Sequence, residues 1–243
     1  MKRHAKQIVL WAAFLLLPVS VDAQITDYTG SLGTTEYLNF VGAGGDAEVS
    51  SWSEDGSRYY VGPYVGEFQT GGVTSPRFSL ICVDFDHYAG DQEVDVTGLG
   101  SGQTDAGLGA TRLGDASGSL STYRQAAYLG SLMDSWADHG PDRPTVFSGL
   151  HAAIWTLMTG RDIGGSDYDY RDDFLALASL EAASFDTDGW YVLSAADGYD
   201  GQEMLIRTPA STVPEPSTYL LMATGLLFLV FFGRKRMRDL NEG

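Results

Sequence analysis

The stretch "TVFSGLHAAIWTLMTG", residues 145–160, predicts a helix in the second half of the chain. Its large apolar side chains follow the three- and four-residue spacing of one helical face: Phe147, Leu150, Ile154, Leu157 and Met158. Thr145, which follows Pro144, is the expected N-cap, and Gly160 is the expected stop. We therefore expect a helix over residues 145–159 that buries an apolar face.

Two more helices are predicted, one on each side of this one. Residues 121–138 place apolar side chains at near-helical spacing. Residues 171–184 open with Asp172 and Asp173, whose charges suit the positive end of a helix dipole. The side chains of the first two helices expected to pack on the strands are Tyr128, Leu132, Leu150, Ile154 and Leu157.

Strands are predicted before and after the helices. Four stretches rich in Val, Tyr and Phe are separated by clusters of Gly, Pro and Asp: residues 47–52, 58–70, 77–89 and 92–99. Residues 189–209 predict a closing hairpin across a turn rich in Gly and Asp. Strands, then helices, then a hairpin indicate an α+β fold, which is an antiparallel β-rich domain with two or three packed helices.

Between the strands and the helices lies a glycine-rich segment, residues 98–119, "GLGSGQTDAGLGATRLGDASGS". It has many glycines and few apolar residues, which predicts a mobile surface loop that does not pack on the core.

The charge of the chain narrows the choice of partners. Residues 24–213 hold eight arginines, no lysine and 28 acidic residues, which gives this part a formal charge of −20. Such a field repels nucleic acid and anionic lipid head groups and argues against both as partners. The single cysteine, Cys82, excludes a disulfide within the chain.

The sequence carries no recognisable catalytic motif. It has no nucleophile elbow, phosphate loop or zinc-protease motif, and its four histidines lack metal-ligand spacing. Asp84, Asp86 and Asp91 are weak candidates for a calcium site, since calcium prefers carboxylate oxygens, but a solvated acidic loop is the commoner explanation for such clusters. We therefore expect a structural or binding role rather than an enzyme, with calcium as the only cofactor considered.

The C-terminal residues form three parts. Pro214 and Pro216 make residues 211–218 an extended spacer, because proline fixes φ and removes a backbone donor. Residues 219–233 carry no charge and lie at the short end of the lengths that span a bilayer. The basic residues that follow, within 234–243, are the positive-inside signal and place this end in the cytoplasm.

The N-terminal residues predict export. A basic start is followed by the apolar stretch "IVLWAAFLLLPV", and Val21 and Ala23 are small enough for cleavage before Gln24. Residues 1–23 are thus expected to be a signal peptide, and residues 24–210 are expected to form the exported α+β domain.

The tail resembles the PEP-CTERM sorting signal of bacteria with an outer membrane. The matching positions are Val213, Pro214, Glu215, Pro216 and Ser217, the apolar helix, and Arg234, Lys235 and Arg236. In that family an exosortase, a membrane cysteine protease, recognises the signal at the inner membrane, and the exported domain goes to the envelope or to an extracellular polysaccharide matrix. The resemblance implies an exosortase substrate that its C-terminal helix holds in the inner membrane, with exopolysaccharide as a candidate partner.

Residues 58–160 resemble, more distantly, the thioester domains of Gram-positive adhesins. There a strand Cys bonds to a Gln that precedes Ala-Ile-Trp on a helix. Cys82 and the sequence Ala153-Ile154-Trp155 match, but His151 stands at the Gln position and has no carboxamide carbon. The resemblance implies that Cys82 and His151 lie near each other without a thioester. The alternative is that both are ordinary core residues.

Together these features indicate an exported envelope or matrix protein of the kind found in biofilms. A surface adhesin, either degenerate thioester-like or calcium-dependent, is the second hypothesis. The third is a glycan hydrolase that uses a carboxylate pair such as Asp84 and Asp86.

Overall fold

The computed structural model describes residues 27–30, 32–43, 48–50, 59–136, 142–164, 170–197 and 199–209. The chain separates into two compact units, Met1–Thr208 and Pro209–Gly243. The predicted signal peptide (1–23), membrane helix (219–233) and basic tail (234–243) lie outside the described residues. Within those residues, no helix combines the length and the apolar character that a membrane crossing requires.

The described elements follow the order that the sequence predicts: strands come first, helices next and a hairpin last. The strands are β1 (Thr35–Ala43), β2 (Glu48–Ser50), β3 (Tyr59–Val61), β4 (Tyr64–Thr70), β5 (Val73–Thr74), β6 (Phe78–Cys82), β7 (Gln92–Gly98), β8 (Trp190–Ala195) and β9 (Met204–Arg207). The helices are α1 (Ser119–Trp136), α2 (Arg143–Thr159) and α3 (Arg171–Glu181), preceded by a short 3₁₀ turn at Asp105–Leu108.

Six strands form a closed antiparallel barrel. Their order is β1-β7-β8-β9-β6-β4, and β4 pairs back onto β1. Strand β5 extends β4 as a short hairpin, and β2 pairs with β3 in a separate ribbon. Closure satisfies the backbone groups that an open sheet would expose at its edges. The predicted α+β class, antiparallel sheet and three helices are confirmed, and so is the closing hairpin of β8 and β9.

Strand β1 closes the barrel and has no counterpart among the strands predicted from the sequence. It pairs with β4 from Tyr37 to Ala43 and with β7 from Thr35 to Leu38. Its Leu38 side chain is buried. The β1–β4 register shifts between Phe40 and Gly42, which marks an irregularity of the bulge type and bends the strand.

Helix α1 packs on the outer face of β6, β9 and β8. Register partners share a face of the sheet, so Ile81, Leu205 and Val192 lie side by side beneath the helix. A Cβ atom added at Gly130 would lie 2.7 Å from Ile81 Cδ1. A glycine at this position therefore lets helix and sheet approach closely.

Helix α2 is the central element of the helical layer. Every residue from Val146 to Trp155 is buried, so the helix is enclosed on all sides rather than along one face. It begins at Arg143 with Asp142 at the N-cap position, so the predicted Thr145 cap is wrong. Pro144 falls in the first turn, where its missing N–H costs nothing. Gly160, with φ of 67°, ends the helix as predicted.

The side chains that were predicted to pack in the first two helices are buried or partly buried in the core. Leu150 and Ile154 are fully buried, while the other side chains are partly buried and pack against the core: Tyr128, Leu132 and Leu157.

The prediction that the glycine-rich segment 98–119 does not pack is wrong. Leu108 is fully buried within it. The Asp105 carboxylate accepts hydrogen bonds from the backbone N–H groups of Gly118, at 3.0 Å, and Leu120, at 2.7 Å. These bonds lower the pKa of Asp105 and satisfy donors at the start of α1. The hydrogen bonds of a single side chain, Asp105, thus order a segment whose composition predicts a mobile loop.

Candidate functional site

The polar centre of the domain is a buried carboxylate, that of Glu203, which directly precedes β9. Its side chain is fully buried between the sheet and α1. Tyr123 Oη of α1 and Ser194 Oγ of β8 each lie 2.5 Å from a carboxylate oxygen. The backbone N–H of Arg112 donates a third bond at 3.0 Å. Each of these groups supplies a hydrogen that a buried carboxylate needs.

Asp84, which follows β6, connects this carboxylate to the surface. Its carboxylate lies 2.6 Å from Arg112 Nε and 2.9 Å from His87 Nδ1. It also accepts the backbone N–H groups of Asp86, at 3.0 Å, and Glu203, at 3.4 Å. We call the set Asp84, His87, Arg112, Tyr123, Ser194 and Glu203 the Asp84–Glu203 network.

Burial dominates the electrostatics of this network. It raises the pKa of Glu203, although the bonds from Ser194, Tyr123 and Arg112 oppose the shift and favour the carboxylate. The pKa of Tyr123 is also raised, first by burial and then by the neighbouring Glu203 charge. A tyrosine that stays protonated keeps its hydroxyl as a donor at all physiological pH values. These contacts suit a structural role in joining segment 98–119, α1 and the barrel.

Cys82 and His151 both lie beside Trp155 of α2. The Cys82 thiol donates a hydrogen bond to the Asp84 carbonyl oxygen at 3.2 Å, and the Trp155 side chain lies beside the sulfur. The imidazole of His151 packs on the Trp155 ring with 4.9 Å between centroids. The structure therefore places the two residues of the predicted pair around one indole ring.

His151 is neutral. Burial lowers its pKa to about 3, against a smaller opposing contribution from the Phe147 backbone. Nδ1 accepts the Gly62 N–H at 2.9 Å, which leaves the proton on Nε2. This Nε2 atom has no hydrogen-bond partner among the described residues. The residue thus links α2 to the turn between β3 and β4.

We predict that Cys82 does not react with thiol reagents in the native protein. Burial raises its pKa well above the ordinary value of 9.0, so thiolate is scarce. Titration with a chromogenic disulfide at pH 8 should show no reactive thiol until urea unfolds the chain, and the intact mass should show no loss of ammonia. A Thr74→Cys variant, at an exposed site on β5, should react at once and serves as the control. Rapid native labelling of Cys82 would contradict the prediction.

The candidate calcium ligands have separate partners. Asp84 belongs to the network above, Asp86 pairs with Arg161 at 2.5 Å, and Asp91 accepts the Phe40 N–H at 2.8 Å. In the described part of the chain, no group of three or more His, Cys, Asp or Glu side chains is placed to hold a metal ion. The structure does not bring these three carboxylates together as a metal centre.

A cleft of about 760 Å³ opens next to the network. Aromatic side chains from several elements line it: Phe40 of β1, Tyr59 and Tyr60 of β3, Tyr64 of β4, Phe85 and Tyr88 after β6, and Trp155 of α2. Its polar lining residues are Asp86, His87 and Gln202.

The aromatic rings of this cleft pack on one another in two groups. Phe85 lies 4.8 Å from Tyr59 and 5.1 Å from Trp155, centroid to centroid, and Phe40 lies 5.6 Å from Tyr64. Mutual packing fixes the orientation of these five rings, so this part of the aromatic lining is preformed.

Sequence reasoning missed both Glu203 and the cleft. Glu203 directly precedes the apolar strand Met204–Arg207, and an acid at the edge of such a run was the available signal. The cleft draws its rings from strands, a loop and a helix that are distant in sequence, so no local pattern could reveal it.

The residues of the predicted sorting signal, including Val213 to Ser217 and Arg234 to Arg236, lie beyond the described ranges. Comparison with protein families adds one finding for this part: the model of the PEP-CTERM protein-sorting motif matches residues 212–236. Comparison with curated proteins and with solved structures gave no match to the chain. None of these results supports the resemblance of residues 58–160 to thioester domains.

Proposed function

We propose that this chain is an exported envelope or matrix protein that an exosortase processes at its tail, and that its folded domain has a structural or binding role rather than a catalytic one. The observation that carries the proposal is the PEP-CTERM motif at residues 212–236, which implies export and exosortase processing. Processing would take place at the inner membrane, where the apolar residues 219–233 hold the chain until cleavage.

The contacts of the folded domain favour a non-catalytic role. Asp84 and Asp86, the carboxylates of the hydrolase hypothesis, are each paired with an arginine, Arg112 and Arg161. These ion pairs tie both carboxylates to other side chains of the fold, as a structural role requires. The buried Cys82 gives no support to a covalent adhesin.

We predict that replacing Arg234, Lys235 and Arg236 with Glu disturbs sorting and leaves the domain folded. The positive cluster orients the apolar segment, and reversing its sign removes the positive-inside signal. In cells, the variant should lose most of its membrane retention and C-terminal cleavage, measured by fractionation and by mass mapping of the C-terminus.

A triple substitution to Gln in the same three positions is the matched control, because it removes charge without inverting it and should give an intermediate defect. Unchanged processing of the Glu variant, or a wild-type chain that keeps both Met1 and Gly243 in cells with an active exosortase, would contradict the proposed sorting.

A further inference from the structure

The aromatic cleft next to the Asp84–Glu203 network has a chemistry that points to one class of ligand. Its lining combines aromatic faces with polar groups, of which the Asp86 carboxylate is about half exposed. Its volume of about 760 Å³ falls in the usual range of ligand sites. Such a site suits a ligand that has an apolar face and many hydroxyl groups.

The rim of the cleft carries two exposed tyrosines. Tyr88 is 92% exposed and Tyr60 is 52% exposed, whereas tyrosine is usually at least partly covered. Trp155, at the inner end, is only 1% exposed. The cleft thus runs from a buried aromatic end to tyrosine faces that are open to solvent, where ring-shaped groups of a ligand can stack.

The carboxylates at the cleft each have a side-chain partner. Asp86 is paired with Arg161, whose guanidinium also lies over the Phe85 ring at 5.5 Å from the centroid. His87 Nε2 lies 3.3 Å from an Asp200 carboxylate oxygen, and its Nδ1 faces Asp84. The cleft carboxylates that could bind a cationic ligand are already paired with protein side chains. The strong negative charge of the exported part repels a polyanion. A neutral ligand meets neither obstacle.

We propose that this cleft binds a neutral polysaccharide. Sugar rings would stack their C–H faces on Tyr60 and Tyr88, since the face of an aromatic ring is the negative part of its quadrupole. Their hydroxyl groups would donate hydrogen bonds to the half-exposed carboxylate of Asp86. This proposal rests on the binding role proposed above and not on processing of the tail.

The test uses the full chain purified in detergent and affinity electrophoresis through gels that contain hydroxyethyl cellulose, dextran or galactomannan, with alginate and choline as competing chemistries. We expect at least one neutral polysaccharide to retard the protein and to change its tryptophan fluorescence. Tyr60→Ala with Tyr88→Ala should weaken this binding about tenfold or more, and Tyr88→Trp should preserve it.

Tyr37→Ala is the matched control, because Tyr37 is a similarly exposed tyrosine, at 38%, outside the cleft. It should keep the affinity within about twofold of the wild type, a difference below about 0.5 kcal/mol. Binding of none of the three neutral polymers, binding of alginate or choline alone, or equal binding by the Tyr60/Tyr88 variant would overturn the proposal. If any of these results occurred while export and tail cleavage were normal, the polysaccharide proposal would fail and the proposed sorting role would still hold.

Discussion

Ile154→Asp is expected to unfold the exported domain. Ile154 is fully buried in α2, at the centre of the helical layer. The substitution removes apolar packing and buries a carboxylate, and each change costs several kcal/mol, in total about 5 kcal/mol or more. This is comparable to the whole stability of a typical domain, about 5–15 kcal/mol. Loss of the near-ultraviolet dichroism and of the cooperative urea transition would show the effect.

Leu180→Asp is the matched control for this experiment. It places the same charge on a helix, but Leu180 of α3 is 75% exposed, so the carboxylate stays in water. This variant should keep its midpoint of unfolding within the range of ordinary surface changes, about 0.5 kcal/mol. A well-folded Ile154→Asp protein would show that the core assignment of α2 is wrong.

Glu203→Ala is expected to cost about 3 kcal/mol or more, because it leaves three buried donors without their acceptor. These donors are the hydroxyls of Tyr123 and Ser194 and the backbone N–H of Arg112. Glu203→Gln keeps one side-chain oxygen for Arg112 and should cost less. Urea unfolding of the two variants measures both differences, and an equal loss in both would argue against the bonding pattern described for Glu203.

The stability difference between wild type and Glu203→Gln should also depend on pH. Burial raises the pKa of Glu203 in the folded chain above its ordinary value of 4.5, so the stabilisation from this group is fully present below pH 4.5 and is lost as pH rises towards the folded value. The advantage of the wild type over Gln should therefore shrink as the pH rises above 4.5, by at most about 1.4 kcal/mol per pH unit. An advantage that grows with pH would mean that the hydrogen-bond donors outweigh burial.

Local patterns predicted most elements of the fold because the apolar residues of these elements recur at regular spacing. Helix α2 follows from the spacing of Phe147, Leu150 and Ile154, and the last hairpin follows from two apolar runs around a turn rich in glycine. The closure of the barrel did not follow, because it depends on β1 pairing with β4 and β7 at the same time. Such pairing across the chain has no local signature.

In the candidate sites, too, local sequence patterns predicted some features, while contacts between distant residues could not be predicted. The resemblance to thioester domains implied that Cys82 and His151 lie near each other; the structure places each of them beside Trp155. Segment 98–119 differs, because its order depends on individual contacts. Arg112 pairs with Asp84, and Asp105 accepts a backbone hydrogen bond at the start of α1. These contacts hold the segment in place although its composition is rich in glycine. The aromatic cleft likewise exists only after β1, β3 and α2 have come together.

The position of β9 determines how the domain responds to tension. This strand is the last described element before the tail, and it is hydrogen-bonded to β6 on one side and β8 on the other. Arg207 at its end also pairs with Asp27 and Asp134, and its carbonyl accepts the Tyr28 N–H at 2.8 Å. Detaching β9 therefore requires breaking its hydrogen bonds to both neighbouring strands and the ion pairs of Arg207, which a strand at a sheet edge would not require.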